Sequence, residues 1–208
     1  MYDQTTTIEK FLDAAAARQP TPGGGSVTAL AGALAATMGE MVLKYSIGRR
    51  DLAAYEDELK PALAEYHRAR GVLVQLMVED QEAYAALTAA RKLPETTADR
   101  AAQIASALAV CIRVPEAMAA TGVAVLELCD RVVNFVNPWL LSDLAVCADL
   151  SMAAVRCAVY NVRANLPSIS DQAERQRIES ELFQLLTRAG TFIQQVGPRI
   201  WARYAQNT

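Results

Sequence analysis

The chain has 208 residues, of which 52% are hydrophobic and 21% are charged. This balance is typical of a globular protein and excludes a disordered chain. The net charge is −3, from 20 basic and 23 acidic residues, so the chain lacks the basic excess of a general nucleic-acid binder or of a polybasic membrane-surface segment. We therefore expect no nucleic-acid partner, no membrane partner, and one domain over residues 1–208.

Export signals and membrane spans are not expected either. The N-terminal residues Met1–Gln4 carry no basic side chain and precede no apolar block, so the sequence predicts no signal peptide. The longest uncharged stretch, residues 23–39, consists mostly of Gly, Ala, Ser and Thr, whereas a membrane span needs about 20 strongly apolar residues.

The cysteines and the single histidine limit the possible chemistry. The four cysteines show no zinc-ligand spacing, and His67 alone offers too few imidazoles for a histidine metal site. We expect reduced thiols, a cytoplasmic protein, and no metal or cofactor. A Ser-His-Asp or Cys-His mechanism would need His67 as its base. The charged neighbours of His67 instead predict a solvated side chain.

Helical signals run along the whole chain, because alanine is abundant and β-branched runs are almost absent. We predict an all-α bundle of long antiparallel helices with the approximate residue ranges 7–18, 26–47, 51–91, 97–133, 138–165 and 171–204. Thr6 and Glu9 form a capping box at the start of the first helix. The fourth helix is predicted to kink or split near Pro115, and the last helix to break at Gly197-Pro198.

The second predicted helix carries a stripe of small residues at alternating spacings of four and three. The stripe consists of Gly25, Ala29, Gly32, Ala36 and Gly39. Small side chains let another helix approach closely, so we interpret the stripe as a packing surface. Its partner helix lies either in the same chain or across a dimer interface.

The third predicted helix places one acidic residue in an apolar seam. A heptad pattern that starts at Leu52 has twelve a and d positions up to Ala90, and eleven of them are apolar or aromatic. The exception is Asp80. Burial raises the pKa of a carboxyl toward the range useful for proton transfer, so Asp80 is a candidate general base or acid. The alternative is a structural role, as part of a buried ion pair or as a polar pin that fixes helix register.

Polar residues of the fifth predicted helix form a second candidate set. Asn137 is a predicted cap before a proline at the first helical position. Ser142 and Asp143 lie in the first turns, and Asn161 lies five turns after Asp143, about 27 Å away. In a straight helix Asp143 and Asn161 cannot reach one atom, so they hold opposite ends of a long ligand or serve sites in two subunits. Simple helix capping is the alternative for Ser142 and Asp143.

Two loops carry groups suited to ligand binding. Gly23–Gly25 and Ser26 precede a helix and form a generic cradle for an anion or polar group, although no nucleotide-binding GK[ST] follows them. Arg49 and Arg50 follow the second helix, and their guanidinium groups are suited to binding carboxylates. The alternative for the two arginines is a solvated basic loop.

Several motifs together resemble a known enzyme family. The segment Pro20–Val27, preceded by Phe11-Leu12, resembles the opening signature of the formiminotransferase-cyclodeaminase / methenyltetrahydrofolate cyclohydrolase family. Further matching motifs follow in order along nearly the whole chain: Ile47–Arg50, Asp80–Tyr84, Leu93-Pro94, Val114-Pro115, Asn137 with Ser142-Asp143, Tyr160–Val162 and Asn165-Leu166. The chain departs from the family pattern at Val136, where glycine is common, and at Pro138-Trp139, so this loop is expected to differ in shape.

The resemblance implies an all-helical homodimer that acts on a tetrahydrofolate derivative without a further cofactor. It places the catalytic aspartate at Asp80, with Asp143 as a second catalytic residue. The substrate-binding residues that it implies are Gly23, Gly24, Gly25, Ser26, Arg49, Arg50, Asn137, Ser142 and Asn161. The two arginines are expected to bind the glutamate tail of folate, with Lys44 as a helper.

Two reactions occur in this family. One is hydrolysis of 5,10-methenyltetrahydrofolate to 10-formyltetrahydrofolate, in which Asp80 would deprotonate the attacking water. The other is cyclodeamination of 5-formiminotetrahydrofolate, which closes the ring and releases ammonia. We favour the cyclohydrolase, because these 208 residues include no transferase domain that would deliver a formimino group. A third hypothesis is a non-catalytic folate-binding dimer in which Asp80 is structural.

Overall fold

The structure is a computed structural model that describes residues 1–206, and this part of the chain contains six α-helices. They are α1 (Ile8–Ala16), α2 (Gly24–Lys44), α3 (Glu56–Arg91), α4 (Arg100–Val132), α5 (Leu141–Asn165) and α6 (Gln172–Gln206). Short 3₁₀ turns at Arg50–Tyr55, Pro138–Leu140 and Leu166–Ser168 lead into or follow the long helices. The predicted all-α fold is therefore confirmed.

The long helices continue through their prolines. Pro115 lies inside α4 and Pro198 inside α6, so the predicted split near Pro115 and the predicted break at Gly197-Pro198 are wrong. A proline removes one hydrogen bond to the carbonyl four residues earlier. In α4 this loss is offset by packing, since Pro115 is itself buried beside Val114 and Met118. In α4, burial of the residues before and after the proline thus outweighs the tendency of proline to break a helix.

Helices α2 to α5 form an up-and-down four-helix bundle. Each helix packs on the next in sequence, and α2 also packs on α5, which closes the ring. Helix α6 lies outside this ring, against α4 and α5. The neighbouring helices run antiparallel, as predicted, so that the N-terminal end of α2 lies beside the C-terminal halves of α3 and α5.

The small-residue stripe of α2 packs against the heptad seam of α3 within the same chain. A Cβ atom added at Gly25 would overlap Asp80, one at Gly32 would lie 3.1 Å from Leu73, and one at Gly39 would overlap the ring of Tyr66. All five stripe residues are buried. The stripe is thus used inside the subunit, and it gives no support to a dimer interface.

The predicted seam of α3 is confirmed by its burial. Ten of the twelve a and d positions are buried, and the two exceptions are Tyr55 and Asp80. Tyr55 is 40% exposed and stacks on Phe135, with ring centroids 4.8 Å apart. Asp80 is partly buried. The one charged position of the seam is therefore also one of the two seam positions that solvent reaches.

Helices α2 and α4 are long and apolar enough to cross a membrane by length and composition alone. Within the bundle, 61% of the most apolar window of α2 and 50% of that of α4 are buried inside the protein. Most of the apolar side of α2 therefore packs against neighbouring helices. The remainder lies on the outside of the bundle.

An apolar surface without charged residues runs along α2 and α5. We call it the α2/α5 outer face, and it lies opposite the sides that pack on α3 and α4. It consists of Val27, Ala31, Leu34, Met38, Met41 and Tyr45 of α2 and Val146, Leu150, Ala153, Cys157 and Tyr160 of α5. Leu34 is 51% exposed, Tyr45 64% and Tyr160 66%. Contiguous apolar patches of this kind mark interaction surfaces.

Candidate active site

The N-terminal end of α2 presents free backbone donors. The helix begins at Gly24, two residues before the predicted start at Ser26, and Gly23 is its N-cap without a side-chain capping bond. The N–H groups of the first turn of a helix have no intrahelical acceptor and carry a positive partial charge. Among residues 1–206, no acceptor is found for the N–H groups of Gly24 and Gly25. The glycines therefore form the first turn of a helix rather than a loop before it.

Asp80 of α3 lies against this turn. Its carboxylate occupies the space that a side chain at Gly25 would fill. Ser26 Oγ donates a hydrogen bond to Asp80 Oδ2 at 3.0 Å. Burial raises the pKa of the Asp80 carboxyl above its usual value, against the opposing effect of the hydrogen bonds from the Ser26 side chain and backbone. Asp80 is thus a carboxylate with an elevated pKa at the positive end of a helix.

A second buried carboxylate in the same helix pair shows what a structural ion pair looks like here. Burial by itself would raise the pKa of Glu40, but hydrogen bonds from Arg70 and Lys44 outweigh burial and hold the pKa below its usual value. The Arg70 Nε to Glu40 Oε1 distance is 2.5 Å. No such cation partner is found for Asp80 within residues 1–206. The ion-pair alternative for Asp80 is therefore wrong, and within the described residues its hydrogen bonds come from Ser26.

Asn161 of α5 forms the other side of the same turn. A Cβ atom at Gly24 would lie 3.1 Å from Asn161 Oδ1, so the amide oxygen lies directly beside the exposed helix start. Asn161 Nδ2 donates to Thr28 Oγ1 at 3.2 Å. Asn165, one turn further along α5, donates to the backbone carbonyl of Asn161 at 3.1 Å. The structure thus brings together Asp80, the three glycines, Ser26 and Asn161, all of which the sequence predicted as site residues.

Helix α4 contributes Cys111, which the sequence analysis did not select. Burial raises the pKa of the half-buried Cys111 thiol, and the negative charge of Asp80 raises it further. Asn165 Nδ2 also lies 3.4 Å from the Cys111 carbonyl oxygen, which ties α5 to α4 at this point. Four helices therefore surround the site. No motif around Cys111 marks its position in the sequence. Thr28, the acceptor for Asn161, was also not predicted as a site residue, although its spacing of four residues from Gly24 was visible in the sequence.

The remaining predicted residues lie at the opposite end of α2. Asn137 caps the 3₁₀ turn before α5, as predicted, since its side chain accepts a hydrogen bond from the Trp139 N–H. The Asn137 N–H donates to Ser46 Oγ at 2.9 Å, and this bond fixes the loop between α4 and α5 near the C-terminal end of α2. Arg49 makes a two-pronged contact with Asp51, at 3.1 and 2.8 Å. Arg50 is exposed, and no ion pair is found for it in residues 1–206.

Ser142 and Asp143 also belong to this second group. They lie in the first turn of α5, whose N-cap is Leu140, so the capping alternative for them is wrong. Ser142 lines a groove of about 390 Å³ between α5 and the end of α6. The length of α2 separates this group from Asp80 by about 30 Å. Within one chain, Asp80 and Asp143 therefore cannot act on the same atom.

The geometry of the site is typical of one class of protein. A carboxylate with an elevated pKa, without a cation partner and beside free N–H groups, is suited to moving protons at a bound polar ligand. Within residues 1–206, no group of three or more His, Cys, Asp or Glu side chains is placed to hold a metal ion. The carboxylate and the free N–H groups beside it are features of an all-α enzyme that performs acid–base chemistry.

The comparisons with known proteins assign the family. The family model described as formiminotransferase-cyclodeaminase matches residues 7–184, and the chain belongs to this family. It is an enzyme of folate one-carbon metabolism, of the cyclohydrolase/cyclodeaminase type. Membership of an enzyme family overturns the hypothesis of a non-catalytic folate-binding dimer.

Individual relatives cover different shares of the chain. A methenyltetrahydrofolate cyclohydrolase from Methylorubrum extorquens is 34% identical over 91% of this chain and 93% of the relative. The formimidoyltransferase-cyclodeaminase of Mus musculus is 30% identical over 89% of this chain, which spans 35% of that longer protein. A solved structure of formiminotetrahydrofolate cyclodeaminase from Thermotoga maritima has a TM-score of 0.88 and 27% identity, and the alignment covers 95% of this chain and 97% of that one.

Proposed function

We propose that this protein hydrolyses 5,10-methenyltetrahydrofolate to 10-formyltetrahydrofolate. The observation that carries the proposal is the Asp80 carboxylate, which has an elevated pKa, a position beside the first turn of α2, and no cation partner among the described residues 1–206. The choice of reaction is supported by the Methylorubrum extorquens relative, whose name is methenyltetrahydrofolate cyclohydrolase and whose length this chain matches.

The proposed chemistry needs one group that takes and returns a proton. The methenyl carbon carries a delocalised cation shared with its two nitrogens, and a nearby carboxylate attracts it electrostatically. Asp80 then accepts a proton from the water that attacks this carbon. The same carboxyl returns the proton to N5, the departing ring nitrogen, as the bond between the carbon and N5 breaks. The second proton of the water is released to solvent as the formyl carbonyl forms on N10. The Ser26 hydroxyl holds Oδ2 during both steps, and the N–H groups of Gly24 and Gly25 are available to polar groups of the substrate.

The reaction is tested by following the methenyl absorbance in a spectrophotometer. Addition of purified enzyme should accelerate the loss of methenyl absorbance without added metal or nucleotide. The matched sample is the Asp80→Asn variant at the same concentration, whose turnover should be about 10²–10⁴-fold lower. Wild-type protein that does not accelerate the loss of absorbance would refute the cyclohydrolase proposal.

Cyclodeamination of 5-formiminotetrahydrofolate is the second candidate. It is favoured by the similarity to the Thermotoga maritima cyclodeaminase structure and to the vertebrate bifunctional relatives. In this reaction Asp80 would relay the N10 proton to the leaving amine. The two reactions are separated in one instrument, because cyclodeamination creates the methenyl chromophore that hydrolysis consumes. Rapid appearance of methenyl absorbance from the formimino substrate would favour this candidate.

We also propose that the protein is a homodimer whose subunits meet at the α2/α5 outer face. This face is contiguous, uncharged and exposed, which is the composition of the core of a subunit interface. A two-fold axis that lies in the plane of this face and is perpendicular to α2 would place two copies of α2 antiparallel. The N-terminal end of α2 in one subunit would then lie opposite the C-terminal end of α2 in the other.

This arrangement would unite the two groups of predicted site residues. Asp80 and Asn161 of one subunit would face Arg50, Asp143 and their neighbours of the partner subunit. The pterin end of folate would then lie at Asp80, and its glutamate tail would extend toward the arginines. The 30 Å separation within one chain, about the length of α2, is what supports a site shared between subunits.

A mixing experiment tests the shared site. The Asp80→Asn variant and the Arg49→Ala/Arg50→Ala variant would each be weakly active alone. Their mixture, after subunit exchange, should recover about a quarter of the wild-type rate, because half of the dimers are mixed and each mixed dimer has one intact site of two. The control is a mixture of Asp80→Asn with Gly25→Ala, which alters the same half of the proposed site, and this mixture should recover no activity. A monomer in sedimentation with full activity, or a mixture no more active than its components, would contradict the dimer proposal.

A further inference from the structure

The hydroxyl group of Thr28 has no freedom in its hydrogen bonding. Thr28 is 3% exposed and lies one turn after Gly24 in α2. Its Oγ1 lies 2.6 Å from the carbonyl oxygen of Gly24, which can only accept, so the single hydroxyl proton of Thr28 is donated there. Toward any other neighbour, Thr28 Oγ1 can therefore act only as an acceptor.

This restriction determines how the side-chain amide of Asn161 is turned. The group of Asn161 that meets Thr28 Oγ1 at 3.2 Å must be a donor, so it is the amide nitrogen Nδ2. The amide oxygen Oδ1 then points to the other side, next to Gly24 at the exposed start of α2. Asn165 does not compete for this oxygen, because it donates to the backbone carbonyl of Asn161.

Asn161 Oδ1 is left as an acceptor without a partner. Among residues 1–206, no donor reaches it. It lies beside Gly24, and Asp80 lies beside the next residue, Gly25, whose Cα is 3.8 Å further along the chain. The substrate therefore meets two acceptors, one on each side of the helix start.

We infer that Thr28 is a positioning residue for substrate recognition, which acts by holding Asn161 with its amide oxygen toward the cleft. The group that Asn161 recognises is an N–H donor of the substrate rather than a carbonyl or a carboxylate. The inference rests on the proposed function, in which the substrate is a folate whose pterin ring carries N–H groups. Thr28 does not itself touch the substrate.

The first test is Thr28→Val, which keeps the shape of the side chain and removes the hydroxyl. The amide of Asn161 then loses the acceptor that fixes its orientation. We expect KM to rise about tenfold, the value of one ordinary hydrogen bond, and kcat to change by less than about twofold, because the contact is the same in ground and transition states. Thr28→Ser keeps the hydroxyl and should restore KM. If the valine variant does not fold, Thr28→Ala takes its place.

The matched control is Thr37→Val on the same helix. Thr37 Oγ1 donates to the carbonyl of Ala33 at 2.8 Å, four residues earlier, as Thr28 does to Gly24, and no asparagine contacts it. Its loss should leave KM and kcat unchanged. An equal rise in KM for both threonine variants would mean that the back-bond to the helix, and not Asn161, is responsible, and would overturn the inference.

A double-mutant cycle separates a positioning role from a structural one. Asn161→Leu should raise KM at least as much as Thr28→Val, and adding Thr28→Val to Asn161→Leu should raise it no further. Additive losses would overturn the inference. Equilibrium binding of tetrahydrofolate gives an independent readout, with the same non-additive pattern expected in Kd. If wild-type protein neither binds nor converts a folate, the proposed function has failed. If wild-type protein binds and converts a folate, and Thr28→Val has the same KM as wild type, only this inference has failed.

Discussion

The two ends of the contact between α2 and α3 have the same packing pattern but different roles. Gly25 meets Asp80 at one end, and Gly39 meets Tyr66 fourteen residues away at the other. In both pairs a glycine makes room for a side chain at an a position of the α3 heptad. Tyr66 is fully buried, and its hydroxyl reaches Cys129 Sγ at 3.3 Å, whereas Asp80 is only partly buried. The comparison teaches that one packing motif can close the core at one end and open a site at the other.

The electrostatics of the two ends differ for the same reason. Burial raises the pKa of the Tyr66 hydroxyl well above its usual value, so this group stays neutral and acts as part of the core. Burial also raises the pKa of the Asp80 carboxyl, but Ser26 opposes the shift and the site is open to ligands. The Asp80 carboxyl, whose pKa rise is opposed by Ser26 and which ligands can reach, can exchange protons. The fully buried Tyr66 phenol cannot.

The largest expected effect comes from Asp80→Asn. The substitution preserves the shape of the side chain and removes the proton acceptor, so turnover should fall by about 10²–10⁴-fold. Because the folded-state pKa is raised, the charged form is disfavoured in the folded protein, and stability falls as pH rises through that pKa. At neutral pH the variant should therefore melt at the same temperature as wild type or higher. A variant that unfolds, or that keeps full activity, would make Asp80 a structural pin.

Gly25→Ala should lower turnover almost as much as Asp80→Asn does, without changing any ionisable group. A Cβ atom at this position overlaps the Asp80 carboxylate, which must move, and a displacement of about 1 Å can lower a rate 10²-fold. The measurement is kcat beside a thermal melt. Gly71→Ala is the matched control, since a Cβ atom there meets nothing within 4 Å. It should raise stability by about 0.5–1 kcal/mol and leave kcat unchanged.

Gly39→Ala should show the opposite pattern to Gly25→Ala. The added methyl group overlaps the Tyr66 ring in the closed core, and overpacking of this kind costs about 1–3 kcal/mol of unfolding free energy. Turnover at a temperature where the variant is folded should remain within about twofold of wild type, because Asp80 is far from the change. Denaturant unfolding and kcat measured on the same sample check both halves. A large loss of kcat in the folded variant would mean that the two ends are coupled.

The smallest expected effect is a shift in pH dependence. A general base must be ionised, so kcat/KM should fall as pH drops through the pKa of Asp80, and this acid limb should lie above the value of about 3.9 for an ordinary aspartate. Ser26→Ala removes a hydrogen bond that favours the charged form, so the limb should move to still higher pH. A limb at or below the ordinary value, or one that moves down in Ser26→Ala, would argue against Asp80 as the base.

Part of the site was predictable because it follows from helical periodicity. The heptad alone identified Asp80 as the charged position in an apolar seam, and the structure shows that this side chain is only partly buried. The spacing of Asp143 and Asn161, five helical turns, likewise predicts that they lie too far apart to act together. The arginines were selected by the same local reasoning, but Arg49 turns out to be paired with Asp51, which the sequence of the loop did not reveal.

Other parts were not predictable, because they depend on which helix lies beside which. The small-residue stripe predicted a close contact but not its partner, since any helix can fill a groove of glycines. Thr28 and Cys111 reach the site only through the packing of α5 and α4 around the start of α2. The predicted helix breaks at the prolines of α4 and α6 were wrong, because the burial of long helices outweighs the loss of a single backbone hydrogen bond.

The sequence by itself determined the helical class, the seam and its one charged residue, because these follow from periods of 3.5 and 3.6 residues that act within one helix. Only the tertiary structure decided that Gly25, Ser26 and Asn161 surround Asp80, that no cation in the described chain neutralises it, and that the arginines lie a helix length away. These facts depend on distances between helices, and a one-dimensional pattern carries no information about the helix that a given face will meet.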